Sequence, residues 1–134
     1  MSQETPQKLI HETEQVDLTF LHSLSDGDLE FIHEMVSAFM SEIPETIALF
    51  EQHLQNKEWY AIGTLAHKIK PSIQTMGLNS TYELMKIVEV SGKKQERIEM
   101  LPTYVGQITQ TLQQAIPLLQ YELDHKFPGL NSEL

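Results

Sequence analysis

The sequence predicts an all-α fold, an antiparallel four-helix bundle with a short additional N-terminal helix. Three observations carry that expectation. Apolar residues recur at threes and fours through four long stretches, the spacing of one helical face. No stretch alternates apolar with polar residues as a half-buried strand does, and no Asn-Gly type hairpin turn occurs. The connections between the four stretches are short, which sets consecutive helices antiparallel. With 134 residues, 40% of them hydrophobic and 21% charged, the chain is one domain's worth and can bury a core.

Residues 1–16 are polar and acidic with little periodicity and read as a flexible tail. Asp17 can cap a short helix over 18–24 with apolar Leu18, Phe20 and Leu21, and Ser25-Asp26-Gly27-Asp28 breaks it and caps the next. Leu29, Ile32, Met35, Val36, Phe39, Ile43, Ile47, Phe50 and Leu54 then mark an amphipathic helix. Pro44 removes a backbone donor inside it and predicts a kink or a split. Asn56 can cap a third helix over 57–76, which Gly77 closes. Asn79 or Ser80 caps a shorter helix through Val90, with Ser91-Gly92 as its stop and residues 93–97 as a charged connector. The last helix begins near Pro102 with Leu101, Val105, Ile108, Leu112, Ala115, Leu119 and Leu123 on its inner stripe, and Pro117 should kink it. The bundle is thus expected over 17–127, with 128–134 as a C-terminal tail.

The third helix carries an unusual outer face. At 100° per residue, Ile62, Leu65, Ala66, Ile69, Ile73 and Met76 fall in one sector about 100° wide, a core-facing stripe. His67 lies about 140° from Ile62, on the far side. Gly63 one turn before it, and Lys70 and Gln74 after it, complete an exposed row. Pro71 cannot donate to the His67 carbonyl, so the helix should bend or that carbonyl should find water.

Charge points to the same stretch. Residues 1–56 hold eleven acids and one lysine, and 98–134 hold four acids and Lys126, whereas 57–97 hold seven bases and four acids. The only net basic segment contains His67, as a site for an anionic group requires. The overall charge of -10 argues against nucleic acid as a partner, because neutralising phosphates needs a basic face. The absence of cysteine removes thiol catalysis and cysteine-ligated metals. No apolar run approaches the ~20 residues that span a bilayer and no charged-then-apolar leader follows Met1, so a soluble, cytoplasmic, free-standing protein is expected.

The order of these features resembles the histidine phosphotransfer (HPt) domain. His67-Lys68-Ile69-Lys70-Pro71-Ser72, with Ala66 before it and Gly77 after it, is similar to the family signature H-x-L-K-G-S/A-x-x-x-x-G. Trp59 at the helix start and Glu89 in the following helix, where the family tends to place a polar partner, extend the match. The resemblance covers 17 to about 92 closely. It implies that His67 accepts a phosphoryl group, that Lys70 steadies the phosphate, and that Ser72 and Gly77 fill the small-residue and helix-ending positions. Pro71 departs from the family's glycine at a place where a partner approaches closely. The implied partners are a response-regulator receiver domain or a hybrid sensor histidine kinase, meeting a monomeric carrier.

The chemistry is consistent with the residues. A neutral imidazole nitrogen is a nucleophile near neutral pH, and Lys70 and Lys68 offset the incoming negative charge. No Gly-rich phosphate loop or kinase signature is present, so the chain is expected to be a carrier without an ATP site, binding no cofactor of its own. Mg2+ is expected on the partner receiver. The receiver is expected to dock on the short first helix, around Phe20 and Leu24, and on neighbouring outer surfaces. Two other readings have a basis in sequence. A helical adaptor that docks a receiver or kinase without being phosphorylated would need neither His67 nor Lys70. A carboxylate-bridged metal site would use Glu30 with His33 and Glu122 with His125, but Glu30 and His125 face about 145° and 130° away from their helices' apolar stripes. The remaining histidines, His11, His22, His33, His53 and His125, are expected at the surface without a role.

Overall fold

The computed structural model describes residues 15–127, so residues 1–14 of the expected N-terminal tail, and the whole expected C-terminal tail at 128–134, lie outside the described residues. Among the described residues five α-helices follow in order: α1 Thr19–Ser25, α2 Leu29–Gln55, α3 Trp59–Thr75, α4 Asn79–Lys94 and α5 Leu101–His125, the last preceded by a single 3-10 turn, Ile98–Met100. No strand occurs among the described residues. The four long helices pack in a closed ring, α2 on α3, α3 on α4, α4 on α5 and α5 on α2. Connections of a few residues between ring neighbours make the bundle antiparallel.

The stripes read from sequence form the core. Ile32, Val36, Phe39, Ile43, Ile47 and Phe50 of α2 meet Ile62, Leu65, Ala66 and Ile73 of α3, Leu84, Met85 and Val88 of α4, and the whole expected stripe of α5. Three positions expected on the α2 stripe differ. Leu29 is exposed and Leu54 only partly buried because they lie in the first and last turns of α2, whereas Met35 is exposed because it points to one side of the stripe. Pro44 lies inside α2 without splitting it.

The N-terminal end of α3 differs from expectation. Asn56 ends α2, its N–H donating to the Gln52 carbonyl at 3.0 Å, and Lys57 turns the chain at a φ of +57° before α3 starts at Trp59. Asparagine suits either end of a helix, so residue type alone does not fix which helix it serves. At the other end Gly77 takes the left-handed conformation expected of it, with φ +75°. A second constraint acts there, since a Cβ on Gly77 would fall 2.2 Å from the Asp17 carbonyl oxygen. The chain entering α1 crosses this turn and is tied to it by the Asp17 N–H, which donates to the Met76 carbonyl at 3.1 Å.

Leu18 and not the expected Asp17 is the N-cap of α1, although the Asp17 Oδ1 accepts from the Thr19 N–H at 2.9 Å, and Asp28 caps α2 through the Phe31 N–H at 3.2 Å. Leu18 and Leu21 are buried and fasten α1 to the bundle, whereas Phe20 and Leu24 remain 51% and 60% exposed. Helix α4 does not stop at Ser91-Gly92. It runs on to Lys94 and ends at Gln95, which takes the left-handed conformation, so Lys93 and Lys94 belong to the helix and not to a connector.

The expectation of idle surface histidines holds only in part. His33 Nε2 donates to the Phe127 carbonyl at 2.5 Å, and the His22 ring lies against the Phe127 ring with centroids 5.6 Å apart. His53 pairs with Glu58 at 2.8 Å and His125 stacks on Tyr121. His11 lies outside the described residues.

Candidate functional site

Burial of Ile62, Leu65, Ala66 and Ile73 fixes the rotation of α3, and that rotation turns His67 outward. Its side chain is 63% exposed. The row expected beside it is not uniformly open. Gly63 is buried under α4, because an outward direction on a helical wheel does not say whether a neighbouring helix covers it. Lys70, also placed in that row, is largely covered, and only His67 and Gln74 are open to solvent.

What covers the row is Glu89 on α4. Its Oε2 accepts from the Nδ1–H of His67 at 2.7 Å, and its Oε1 accepts from Nζ of Lys70 at 2.6 Å. Lys93, one turn further along α4, brings Nζ to 3.3 Å from Oε2. The Glu89 side chain is only 15% exposed, a burial that would by itself raise its pKa. The hydrogen bond from Lys70, followed by those from His67 and Lys93, outweighs that effect and lowers the pKa from 4.5 to about 2. Glu89 is therefore ionised at neutral pH.

An ionised carboxylate only accepts hydrogen bonds. The proton in the His67 contact must then reside on Nδ1, and in the neutral ring the lone pair lies on Nε2. A half-exposed imidazole is in this way held by one nitrogen and offers the other as a nucleophile. The surrounding ammonium groups of Lys70 and Lys93 each have three N–H donors and only one of these is engaged in a contact with Glu89, so donors remain for an anion at the site.

Other residues singled out by sequence fall around this cluster. Lys68 is exposed on the opposite flank of α3, where it lines a groove of about 180 Å³ with Phe39, Glu42, Ile43 and Ser72, against α2. It is not in contact with Glu89. Pro71 is exposed one turn after His67, inside a helix that continues through it. Gln74 borders a second cleft with Phe20 and Ser23, which links the row on α3 to α1. Gly77 belongs to the turn at the bundle end, away from the cluster. Lys93 was not a candidate from sequence, although Glu89 and Lys93 stand at i,i+4, the spacing of a helical ion pair. Glu122, one of the carboxylates of the Glu-x-x-His pairs, is engaged with Lys126 at 3.2 Å, and among the described residues no group of three or more His, Asp or Glu side chains could hold a metal ion.

The family model of the Hpt domain matches residues 34–120, which takes in α3, α4 and the His67 cluster, and the chain belongs to the Hpt domain family. Membership makes it a carrier module of histidine phosphotransfer in phosphorelays, one that interacts with receiver domains or kinases. No curated protein and no solved structure matches the chain. None of the described helices is long and apolar enough to cross a membrane.

Proposed function

We propose that His67 is the phosphoryl-accepting residue of a cytoplasmic relay protein whose bundle spans 17–127 and works as a monomer. The observation that carries this reading is the His67–Glu89 hydrogen bond, which leaves Nε2 as the nucleophile on the exposed side of the ring. In the forward step the Nε2 lone pair attacks the phosphorus of a receiver's aspartyl phosphate. The N–P bond forms, the P–O bond to the aspartyl carboxylate breaks, and its electron pair stays on the leaving carboxylate. The partner supplies the aspartate and Mg2+.

The proton on Nδ1 does not leave in this step, so the phosphorylated ring carries positive charge. Glu89 stabilises that charge in the same way as a carboxylate behind a catalytic imidazole. Keeping the ring charged also keeps it a good leaving group, so the reverse attack by another receiver's aspartate is facile. Lys70 sits one turn from His67 and shares its remaining N–H donors with the phosphoryl oxygens, with Lys68 adding to the local positive potential. Pro71 and Gln74 act through the shape and approach of this face and not through the chemistry, whereas Gly63, Ser72 and Gly77 lie off it, under α4, in the groove against α2 and in the turn at the bundle end.

Receiver docking is assigned to α1 and the adjoining outer surfaces of α2 and α3. Phe20 and Leu24 project from α1 while Leu18 and Leu21 anchor it, so the pair can serve a partner without loosening the fold. Incubation with phosphorylated receivers tests the function. The protein should acquire acid-labile, alkali-stable phosphate, and His67→Gln should abolish it. Labelling that survives in His67→Gln would rule out His67 as the acceptor.

A further inference from the structure

We infer that Gly63 and Gly92 form a backbone-to-backbone crossing of α3 and α4 that positions Glu89 on His67. Both glycines are buried, and neither has room for a side chain. A Cβ on Gly63 would lie 2.7 Å from the Lys93 nitrogen and 2.8 Å from the Glu89 carbonyl oxygen. A Cβ on Gly92 would lie 2.6 Å from both the Gly63 nitrogen and the Trp59 carbonyl oxygen. These obstacles are backbone atoms, so no rotamer change relieves them, and a methyl group at either site must push the helices apart. Gly63 is also in the interior of α3, where a glycine weakens the helix and persists when a neighbouring backbone needs the space.

The spacing along each helix turns this crossing into a positioning device. From the crossing, His67 is four residues on along α3 and Lys70 seven, about 6 and 10.5 Å at 1.5 Å per residue. Glu89 is three residues back along α4, about 4.5 Å. Because the two helices run antiparallel, both displacements go the same way along the pair. The Glu89 side chain then needs only its own length to reach Nδ1 of His67 with one oxygen and Nζ of Lys70 with the other. The crossing thus acts on His67 through Glu89 without touching it, and its kinetic consequence rests on the reading of His67 as the acceptor.

The histidine tautomer reads the positioning apart from transfer. In the full chain with 15N-labelled histidine, above the pH at which imidazole is charged, His67 should be in the Nδ1–H form. Gly92→Ala or Gly63→Ala should give His67 the mixed tautomers of a free imidazole, and transfer from a phosphorylated receiver should fall about ten-fold or more, as expected for a displaced orienting group. In a Glu89→Ala background, where no acceptor is left to position, Gly92→Ala should cost no further transfer, whereas a merely structural glycine would cost the same in both backgrounds. Gly106→Ala is the control, because a Cβ there meets nothing within 4 Å, and it should change neither reading. If the glycine variants do not fold, Glu89→Asp on the intact crossing, shorter by one methylene, must lose the Nδ1–H form. Retention of that form in a folded Gly92→Ala or in Glu89→Asp would overturn the inference. Wild-type protein that takes no phosphate but shows the tautomer shift supports the positioning and rejects the functional reading instead.

Discussion

Glu89 Oε2 accepts the Nδ1–H of His67 at 2.7 Å, and its other oxygen accepts from Lys70 at 2.6 Å, so one carboxylate of α4 orients the imidazole and holds the cation of the same site. Neither contact is local in sequence, since 22 and 19 residues separate the partners.

Glu89→Gln should reduce the rate of phosphoryl transfer, because an amide carries no charge to stabilise the phosphorylated ring. It should also free the ammonium groups of Lys70 and Lys93. Single-turnover transfer from a phosphorylated receiver measures the effect, and a rate equal to wild type would assign Glu89 a structural role only.

The acid limb of stability should depend on Glu89. Its folded pKa of about 2 lies below the ordinary 4.5, so the stabilisation it gives is complete above pH 4.5 and is lost as pH falls toward about 2. Urea unfolding of wild type and Glu89→Gln across that window checks this. The gap between the two proteins should close as the pH is lowered, and parallel profiles would contradict the depressed pKa.

Lys70→Ala should slow transfer or shorten the lifetime of the phosphorylated protein while helical content stays unchanged. The side chain is partly covered and its ion pair is one of three at Glu89, so a fold-level loss of no more than about 1 kcal/mol is expected. Identical lifetimes and transfer rates would reduce Lys70 to a counter-ion for Glu89.

Neighbouring residues of α1 should behave in opposite ways. Phe20→Ser should weaken transfer with a nearly unchanged melting temperature, because Phe20 is half exposed, whereas Leu21→Ala removes a fully buried side chain and should cost about 2–5 kcal/mol. Thermal melts alongside transfer assays separate docking from packing. A large melting loss in Phe20→Ser would make Phe20 a lid on the bundle end.

Much of the fold is legible in the sequence because it depends on periodicity. The stripe of Ile62, Leu65, Ala66 and Ile73 fixes the rotation of α3, and with it the outward direction of His67. What a single helix cannot reveal is which neighbour covers its outer face. Gly63 reads as open and Gly92 as a stop, and both are instead the contact that brings α4 over α3. Glu89 enters as a polar partner by resemblance, yet its two bonds and its depressed pKa arise only when the helices pack. Lys93 is hidden for the same reason, because extending α4 past Gly92 is what places it one turn beyond Glu89.

The most direct test of the central claim is the position of the phosphoryl group itself. Protein labelled with 15N-histidine and phosphorylated by a receiver should show one phosphorus-coupled ring nitrogen, Nε2 of His67, with Nδ1 still protonated against Glu89. Coupling at Nδ1 of His67, or at any other histidine, would contradict the account.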